Sequence, residues 1–231
     1  MSMLALSSYI DKRRDKIEAH VFTQESADLY MNRNICVCPN NPSLYGYYPR
    51  EFKDYRPYNG KIKPDRIFWI DTDMVFKPEQ FMQLVDHDVD MVSGMCPKGM
   101  DAWALGYYVT LDDGTKALSD LRSLAYDKDE NLIRTLPAWV KEKGVKTKGG
   151  KTLCEVDYCG SAFVCIKPVV YERMEFPYYR TTTFEWGANV QCSEDVGFCY
   201  RAQKSGTHIF ADPTCDIGHQ KQIEMRIPLN G

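Results

Sequence analysis

Apolar residues occur along the chain in short runs separated by longer amphipathic stretches, a pattern that predicts alternating strands and helices. Short apolar runs are typical of strands, and those without polar interruption are typical of strands buried on both faces. The predicted strands are residues 17–22, 67–70, 89–92, 162–166 and 207–211. Several of them are uninterrupted, which favours a central sheet covered on both sides.

Apolar residues spaced three and four positions apart predict helices between these runs. The predicted helices are residues 3–19, 26–37, 168–174 and 194–204, and one more that begins at Pro78. Ser193 is a suitable N-cap for the helix at 194–204, and Gly206 is a suitable stop. The alternation predicts an α/β fold with a mainly parallel central sheet flanked by helices.

Two long segments fall outside this alternation. Residues 39–64 are rich in proline, tyrosine, glycine and asparagine, and we expect a long loop of the kind that often carries function. Residues 100–155 mix glycine, lysine and aspartate with scattered aromatic residues, and we expect an insertion with a hairpin at Asp112-Asp113-Gly114. The whole chain, residues 1–231, is then one domain that contains this insertion.

Composition narrows the class of protein. The net charge of -3, without a long basic run, argues against a nucleic-acid-binding protein. The nine cysteines contain no CxxC pair, which argues against a zinc ribbon and favours reduced, packed thiols in a cytoplasmic protein, of a host cell if the protein is viral. The first apolar stretch is shorter than a membrane span and precedes its basic cluster, the reverse of a signal peptide, so we expect neither feature.

Two aspartates follow the apolar run at residues 67–70, in the sequence FWIDTDMVF. Ligands of open α/β sheets bind beyond the carboxyl ends of the strands, where Asp71 and Asp73 are expected to lie. Two residues apart on an extended backbone, their side chains would point to the same side. Carboxylate oxygens suit Mg²⁺ or Mn²⁺, which can hold a diphosphate. The plain alternative is that these acidic residues only begin a loop, since so short a motif often occurs by chance.

The order of several motifs is more specific than any one of them. IFWIDTDMVF is followed by VDMVSG, VDYCGSAFVCI, SEDVGFCYRAQKSG and a late Gly-His. This order resembles GT-A fold glycosyltransferases, and most closely the bacterial and phage nucleotide-sugar enzymes near glycosyltransferase family two. The resemblance covers roughly residues 62–220 apart from 100–155. It implies a Rossmann-like GT-A domain that transfers a sugar from a nucleotide-diphosphate sugar to an acceptor hydroxyl.

The resemblance implies a metal site built from the aspartates and the late histidine. Asp73 would bind Mn²⁺ or Mg²⁺ directly, and Asp71 would contact the donor ribose or the metal shell. His219 matches the histidine that completes the site, although a lone histidine in such a loop is more often an ordinary surface residue. The donor is thus expected to bind with a divalent metal.

The resemblance also implies the donor and acceptor contacts. Glu194 and Asp195 match the acidic pair near the acceptor, with Asp195 the general base of an inverting reaction, although acidic residues are favoured in any first helical turn. Gly160-Ser161 matches a small-residue turn against the donor sugar, and Arg33, with Asn34, matches a helical pair that supports the donor. Gly160-Ser161 is equally compatible with an ordinary tight turn before a strand.

Two further residues are candidates on weaker grounds. Trp186 could stack on a sugar face of the acceptor or simply anchor its loop. Lys98 could reach a donor phosphate or be an ordinary exposed lysine. The acceptor itself, whether a glycan, a protein or a small molecule, is not encoded in any motif.

The start of the chain departs from the GT-A pattern. That fold opens with a strand and loop that bind the nucleotide base, whereas this chain opens on a predicted helix. The first strand is therefore either missing or located in residues 3–6, and residues 23–26 are left as a candidate nucleotide contact. If the strand is missing, we expect an incomplete base pocket and a sheet edge that is unpaired or covered by residues 17–22.

Two other functions fit part of the pattern. A phosphatase of the haloacid dehalogenase type would use Asp71-Thr72-Asp73-Met74-Val75 as its DxDxV nucleophile motif, but its later acidic pair should follow a strand. A sugar- or nucleotide-binding relative that kept the fold and lost catalysis is the second alternative, because fold does not determine function.

Overall fold

A computed structural model of the protein describes residues 2–23, 29–38, 57–98, 102–110, 114, 116–122, 124–126, 132–134, 145–146, 150–185 and 191–220. Its α-helices are α1 (Ser2–Asp11), α2 (Leu29–Val37), α3 (Pro78–Val85), α4 (Pro168–Glu172) and α5 (Glu194–Lys204), with a 3-10 helix at Pro57–Gly60. Within these ranges no helix is long and apolar enough to cross a membrane.

The strands fall into one large sheet and several small ones. In chain order they are β1 (Ile67–Ile70), β2 (Met74–Val75), β3 (Met91–Met95), β4 (Ala102–Thr110), β5 (Lys116–Arg122), β6 (Leu124–Tyr126), β7 (Leu132–Arg134), β8 (Val145–Lys146), β9 (Thr152–Val156), β10 (Tyr158–Cys159), β11 (Phe163–Ile166), β12 (Thr182–Thr183), β13 (Gln191–Cys192), β14 (Ile209–Asp216) and β15 (Gly218–His219). The large sheet has six strands in the order β1-β11-β3-β14-β9-β8.

The α/β class is confirmed, but the expectation of a mainly parallel sheet is wrong. Among the described strands of the large sheet, β3 and β14 form the one parallel pair, and the other neighbours are antiparallel. The reason is β11, which enters between β1 and β3 in the opposite direction. An apolar run reports burial on both faces, which this sheet has, but not the direction of the neighbouring strand.

Helices cover both faces of the sheet and give it two cores. One core contains Val37 at the end of α2, Val170 of α4 and Phe198 of α5. The other contains Leu6 of α1 and Leu84 of α3. Burial of large apolar side chains on both faces is the main source of stability in such a layered fold.

The first part of the chain folds differently from the prediction. Residues 3–6 belong to α1, so they do not supply a first strand, and the predicted helix at 3–19 ends at Asp11. The predicted strand at 17–22 is wrong, since these residues have no regular secondary structure and Val21 is 68% exposed. Among the described residues, β1 is therefore an edge of the large sheet without a neighbour on its outer side.

The segment at 100–155 contains the predicted hairpin and more. β4 and β5 pair antiparallel with Thr110 opposite Lys116, and Gly114 has a φ of 81°, as a tight turn requires. β10 pairs with β4, while β9 joins the large sheet beside β14. The segment is thus integrated into the fold, and its last strand completes the central sheet.

Candidate functional site

The strand directions bring the candidate residues to one edge of the large sheet. β1 and β3 both run antiparallel to β11, and β14 runs parallel to β3, so the carboxyl ends of β1, β3 and β14 lie at the same edge. Asp71 follows β1, Lys98 lies beyond β3, and His219 lies beyond β14. Gly160-Ser161 reaches the same edge because β11, running the other way, begins there.

Asp73 and His219 are in direct contact at this edge. The His219 Nε2 atom lies 2.8 Å from Asp73 Oδ2, although 146 residues separate the two in sequence. Antiparallel pairing of β15 with β2 sets His219 opposite Met74, the neighbour of Asp73. The expected proximity of His219 to Asp73 is confirmed.

The other ring nitrogen of His219 also faces an acceptor. His219 Nδ1 lies 2.9 Å from the carbonyl oxygen of Pro97. A carbonyl can only accept, so Nδ1 carries a proton, and the neutral imidazole then presents a lone pair from Nε2 to the Asp73 carboxylate. Two acceptors facing each other need a cation between them, which is either a second proton on the ring or a metal ion.

This arrangement fits a metal site completed by a substrate. Histidine ligands of metals commonly donate their other N–H to a backbone carbonyl, as His219 does to Pro97. No group of three or more His, Cys, Asp or Glu side chains in the described ranges is placed to hold a metal by itself. Mg²⁺ and similar ions at phosphate-transfer sites are often held by one or two carboxylates together with substrate phosphates, so Asp73 and His219 fit a partial ligand set.

Asp71 does not share this pair, because the two aspartates diverge. Met74 N donates to Asp71 O at 3.1 Å, so residues 71–74 form a turn and the expected extended backbone is wrong. Asp71 instead lies near Arg33 of α2, with Nη2 3.6 Å from Oδ1. Its backbone N–H donates to Ala162 O at 2.9 Å, which ties the aspartate to the turn before β11.

Arg33 is the cation at the centre of the acidic residues. It is 7% exposed, and its Nη1 donates to Glu194 Oε1 at 2.7 Å. Burial acts to lower the pKa of Arg33, but Tyr179, Asp71 and Glu194 outweigh it and raise that pKa. The guanidinium therefore stays charged and joins α2 both to the end of β1 and to the start of α5.

The side chain beside Arg33 fixes α2 in place. Asn34 Nδ2 donates to Tyr179 O at 2.7 Å, and Tyr179 N donates back to Asn34 Oδ1 at 3.0 Å. Tyr179 also hydrogen-bonds Tyr171 through their hydroxyls at 3.0 Å, and Tyr171 OH accepts from Trp69 Nε1 at 2.8 Å. A buried polar chain therefore runs from α2 to β1 beneath the Arg33 contact.

Glu194 and Asp195 occupy different environments. Glu194 is 8% exposed and paired with Arg33, whereas Asp195 is half-buried at the first turn of α5. Burial raises the pKa of Glu194, Asp195 adds to that rise, and Arg33 opposes it. Glu194 thus joins α2 to α5, whereas Asp195 is the more accessible of the two acids.

Asp195 lies over the turn that contains Gly160. A Cβ atom on Gly160 would lie 3.5 Å from Asp195 Oδ2 and 3.1 Å from the Ala104 side chain. Asp195 Oδ1 accepts from Val196 N at 2.8 Å and from the Ser193 hydroxyl. These donors fix the position of the carboxylate at the first turn of α5.

The remaining predicted site residues are placed less centrally. Ser161 is 3% exposed and so is part of the packed turn before β11. Lys98 is exposed, one residue beyond the Pro97 carbonyl that binds His219. Trp186 lies outside the described residues, as do residues 24–26 of the candidate nucleotide contact. The contribution of Pro97 was missed from the sequence, because a backbone acceptor leaves no signal in residue type.

The comparisons with known proteins add little. No known family model and no curated protein matches the chain. A solved structure, the crystal structure of A197 from STIV, is similar with a TM-score of 0.36 and 18% sequence identity, over 99% of this chain and 93% of that chain. The function must therefore be inferred from the residues of the site.

Proposed function

We propose that this protein is a metal-dependent glycosyltransferase of the GT-A type, which moves a sugar from a nucleotide-diphosphate sugar to an acceptor hydroxyl with inversion. The observation that carries the proposal is the contact between Asp73 and His219, in which the imidazole Nε2 and a carboxylate oxygen face each other at 2.8 Å. A divalent ion bound there would act as a Lewis acid on the diphosphate leaving group.

The remaining residues of the edge fit donor binding. Arg33 lies beside Asp71, whose backbone N–H donates to Ala162 in the turn that contains Gly160 and Ser161. The absence of a Cβ at Gly160 lets the turn lie close to Ala104 and to the Asp195 carboxylate, so the turn and the proposed base are adjacent. Lys98, exposed at the same edge, is suited to a phosphate oxygen.

Asp195 is the residue suited to activate the acceptor. As general base it takes the proton of the acceptor hydroxyl, whose oxygen forms a bond to the anomeric carbon of the sugar. The bond from that carbon to the diphosphate oxygen breaks, and its electron pair leaves with the nucleoside diphosphate. Glu194 keeps α5 in place through Arg33 and does not take part in the proton transfer.

A thermal-shift screen of UDP- and GDP-sugars with Mn²⁺, with Mg²⁺ and with EDTA tests the proposal. A ligand that binds the folded state raises the apparent stability by mass action. We expect a donor to raise the melting temperature only with metal, and Asp73→Asn and His219→Gln to remove the shift. Asp65→Asn is the matched control, because Asp65 is an exposed aspartate before the opposite end of β1.

Three outcomes separate the alternatives. Donor binding that is equal with EDTA, or unchanged in Asp73→Asn, contradicts the metal site. Metal-dependent donor binding without transfer or donor hydrolysis supports the non-catalytic relative. Turnover of p-nitrophenyl phosphate without any nucleotide binding supports the phosphatase.

A further inference from the structure

β14 contains an irregularity immediately before the segment that carries His219. Ala211 pairs with Ser93 in register, but Asp216 then pairs with Met95, where an unbroken register would place Pro213. Three additional residues are therefore accommodated between the two pairs. Bulges of this kind bend a strand and re-aim the side chains that follow, and they are common next to active sites.

The bulge, residues 212–215, exchanges the two faces of the strand. Before it, the odd-numbered residues Ile209 and Ala211 pack in the core beneath α2, α4 and α5. From the last residue of the bulge onward, the odd-numbered residues Cys215 and Ile217 pack in the opposite core, beneath α1 and α3. An odd number of added residues has this effect because side chains alternate with a period of two.

The exchange decides where His219 lies. His219 follows Ile217 by two residues and pairs directly opposite Met74, which packs in the same core as Ile217. Opposite residues of an antiparallel pair project to the same side, so the bulge sets the side on which the imidazole meets Asp73. In an unbroken β14, the odd-numbered positions would remain on the other face.

Asp212 is the residue that holds the bulge. Its side chain is fully buried, and Oδ2 accepts from Gln83 Nε2 at 2.7 Å and contacts His87 Nε2 at 2.8 Å. Its Oδ1 accepts from Thr214 N at 2.9 Å and from Thr214 Oγ1 at 2.7 Å. One carboxylate thus joins the two ends of the bulge and attaches it to α3 and to His87, just beyond the end of that helix.

Neighbouring contacts leave the bulge little freedom. Gln80 of α3 donates to the backbone of Asp216, just after the bulge. A Cβ on Gly94 would lie 2.8 Å from Ile217 Cγ1 and 3.2 Å from Cys215 O, so β3 admits the displaced strand only because it has a glycine there. The displaced course of the strand is therefore specified on both sides, by α3 and by β3.

We propose that Asp212 is a positioning residue for His219, which acts through the bulge at residues 212–215 and does not touch the substrate. The positioning of His219 by Asp212 does not depend on the proposed function, whereas the expected effect of Asp212 on metal affinity rests on it. Asp212 lies outside the motifs found in the sequence. An Asp-Pro pair within a short apolar run indicates only the end of a strand.

The test compares Asp212→Ala and Asp212→Asn with Val170→Ala. Val170 is fully buried in the opposite core, so its truncation lowers stability without touching the bulge. The first readout is the ¹⁵N and ¹H NMR signature of the His219 ring in the metal-free protein, assigned by its loss in His219→Gln. The second is the Mn²⁺ dissociation constant, measured by electron paramagnetic resonance with Mn²⁺ alone.

We expect Asp212→Ala to alter the His219 ring signals and to weaken Mn²⁺ binding by about 10-fold or more. Asp212→Asn keeps the side-chain volume and one acceptor oxygen, so it should alter the ring signals and weaken Mn²⁺ binding to a smaller extent. It replaces the alanine variant in the test if Asp212→Ala does not fold. Val170→Ala should lower the melting temperature and leave both readouts unchanged.

The outcomes separate this inference from the proposed function. A folded Asp212 variant with unchanged His219 ring signals overturns the inference. Altered ring signals in both Asp212 variants, combined with no Mn²⁺ binding by the unmodified protein, support the positioning role and contradict the metal site. Ring signals that change equally in Val170→Ala also overturn the inference, because they show a general effect of lost stability.

Discussion

Arg33 and Glu194 form an ion pair that is buried on both sides, with Nη1 2.7 Å from Oε1 and 161 residues between them in sequence. Buried ion pairs are costly to form and more costly to break, since the remaining partner is left charged and unpaired. Arg33 also faces Asp71, so this pair connects the donor side of the proposed site to the helix that presents Asp195.

Replacing Arg33 alone should therefore destabilise the protein strongly. We expect Arg33→Met to lower the free energy of unfolding by about 3 kcal/mol, because Glu194 loses its buried partner. Arg33→Met combined with Glu194→Met should recover part of that loss, as apolar pairs of similar volume can replace a buried ion pair. Urea unfolding of the two single variants and the double variant measures the coupling. Additive losses would show that the pair is not coupled.

Loss of Asp195 should damage chemistry more than binding. We expect Asp195→Asn to reduce turnover by roughly two to four orders of magnitude, the usual contribution of a general base. The donor dissociation constant should change little, because Asp73 and His219 lie on other elements. Glu194→Gln should reduce turnover less, since the Glu194 carboxylate is already paired with Arg33. Near-normal turnover in Asp195→Asn with a strong loss in Glu194→Gln would exchange the two roles.

A side chain at Gly160 should disturb the floor of the site. The added Cβ of Gly160→Ala would lie 3.1 Å from the Ala104 Cβ, closer than ordinary contact. We expect a loss of roughly 1–3 kcal/mol in the free energy of unfolding, typical of overpacking, together with weaker donor binding. Ala104→Gly in the same chain removes the clashing methyl group and should restore part of the stability. Restored stability without restored donor binding would show that the Cβ itself occupies donor space.

Low pH should reduce the free energy of unfolding, in part because Asp212 becomes protonated. Burial acts to raise its pKa, but hydrogen bonds from His87, Thr214 and Gln83 outweigh burial and lower the pKa to about 2. Because this lies below the unfolded value of about 3.9, the ionised carboxylate contributes stability that is present above about pH 4 and is lost towards pH 2. The stability difference between the unmodified protein and Asp212→Asn should shrink over that window. A difference that is constant from pH 5 to pH 2 would contradict the lowered pKa.

Residue patterns predicted the elements whose burial is decided locally. Ile67–Ile70 and Phe163–Ile166 are apolar throughout and form strands, of which the first is partly and the second fully buried. α5 begins after Ser193, as its first turn indicates. Val21 and Phe22 favour a strand by residue type, but a strand also needs a neighbour, and 17–22 has none within the described residues. The direction of β11 could not be predicted either, because antiparallel and parallel neighbours bury the same side chains.

The sequence predicted those contacts of the site that depend on where strands end. Asp73 and His219 could be brought together from the order of the motifs, since both follow strands at one edge. The separation of Asp71 from Asp73 could not, because it depends on a turn closed by Met74 N and on the position of Arg33. The holding of the bulge by Asp212 depends on Gln83 and His87, two side chains from another part of the chain, and no local pattern indicates these contacts.

The order of strands in the large sheet has a consequence for biosynthesis. β1 and β3 are synthesised early but are joined into one sheet only when β11 pairs with both of them. β3 and β9 are likewise joined only by β14, which ends at Asp216. Contacts between such distant segments form slowly, and nascent chains meanwhile expose the apolar faces of β1 and β3 to aggregation. An expressed fragment that stops before β14 would lack an interior strand of the sheet, so we expect a fragment to fold only if it includes the residues up to Asp216.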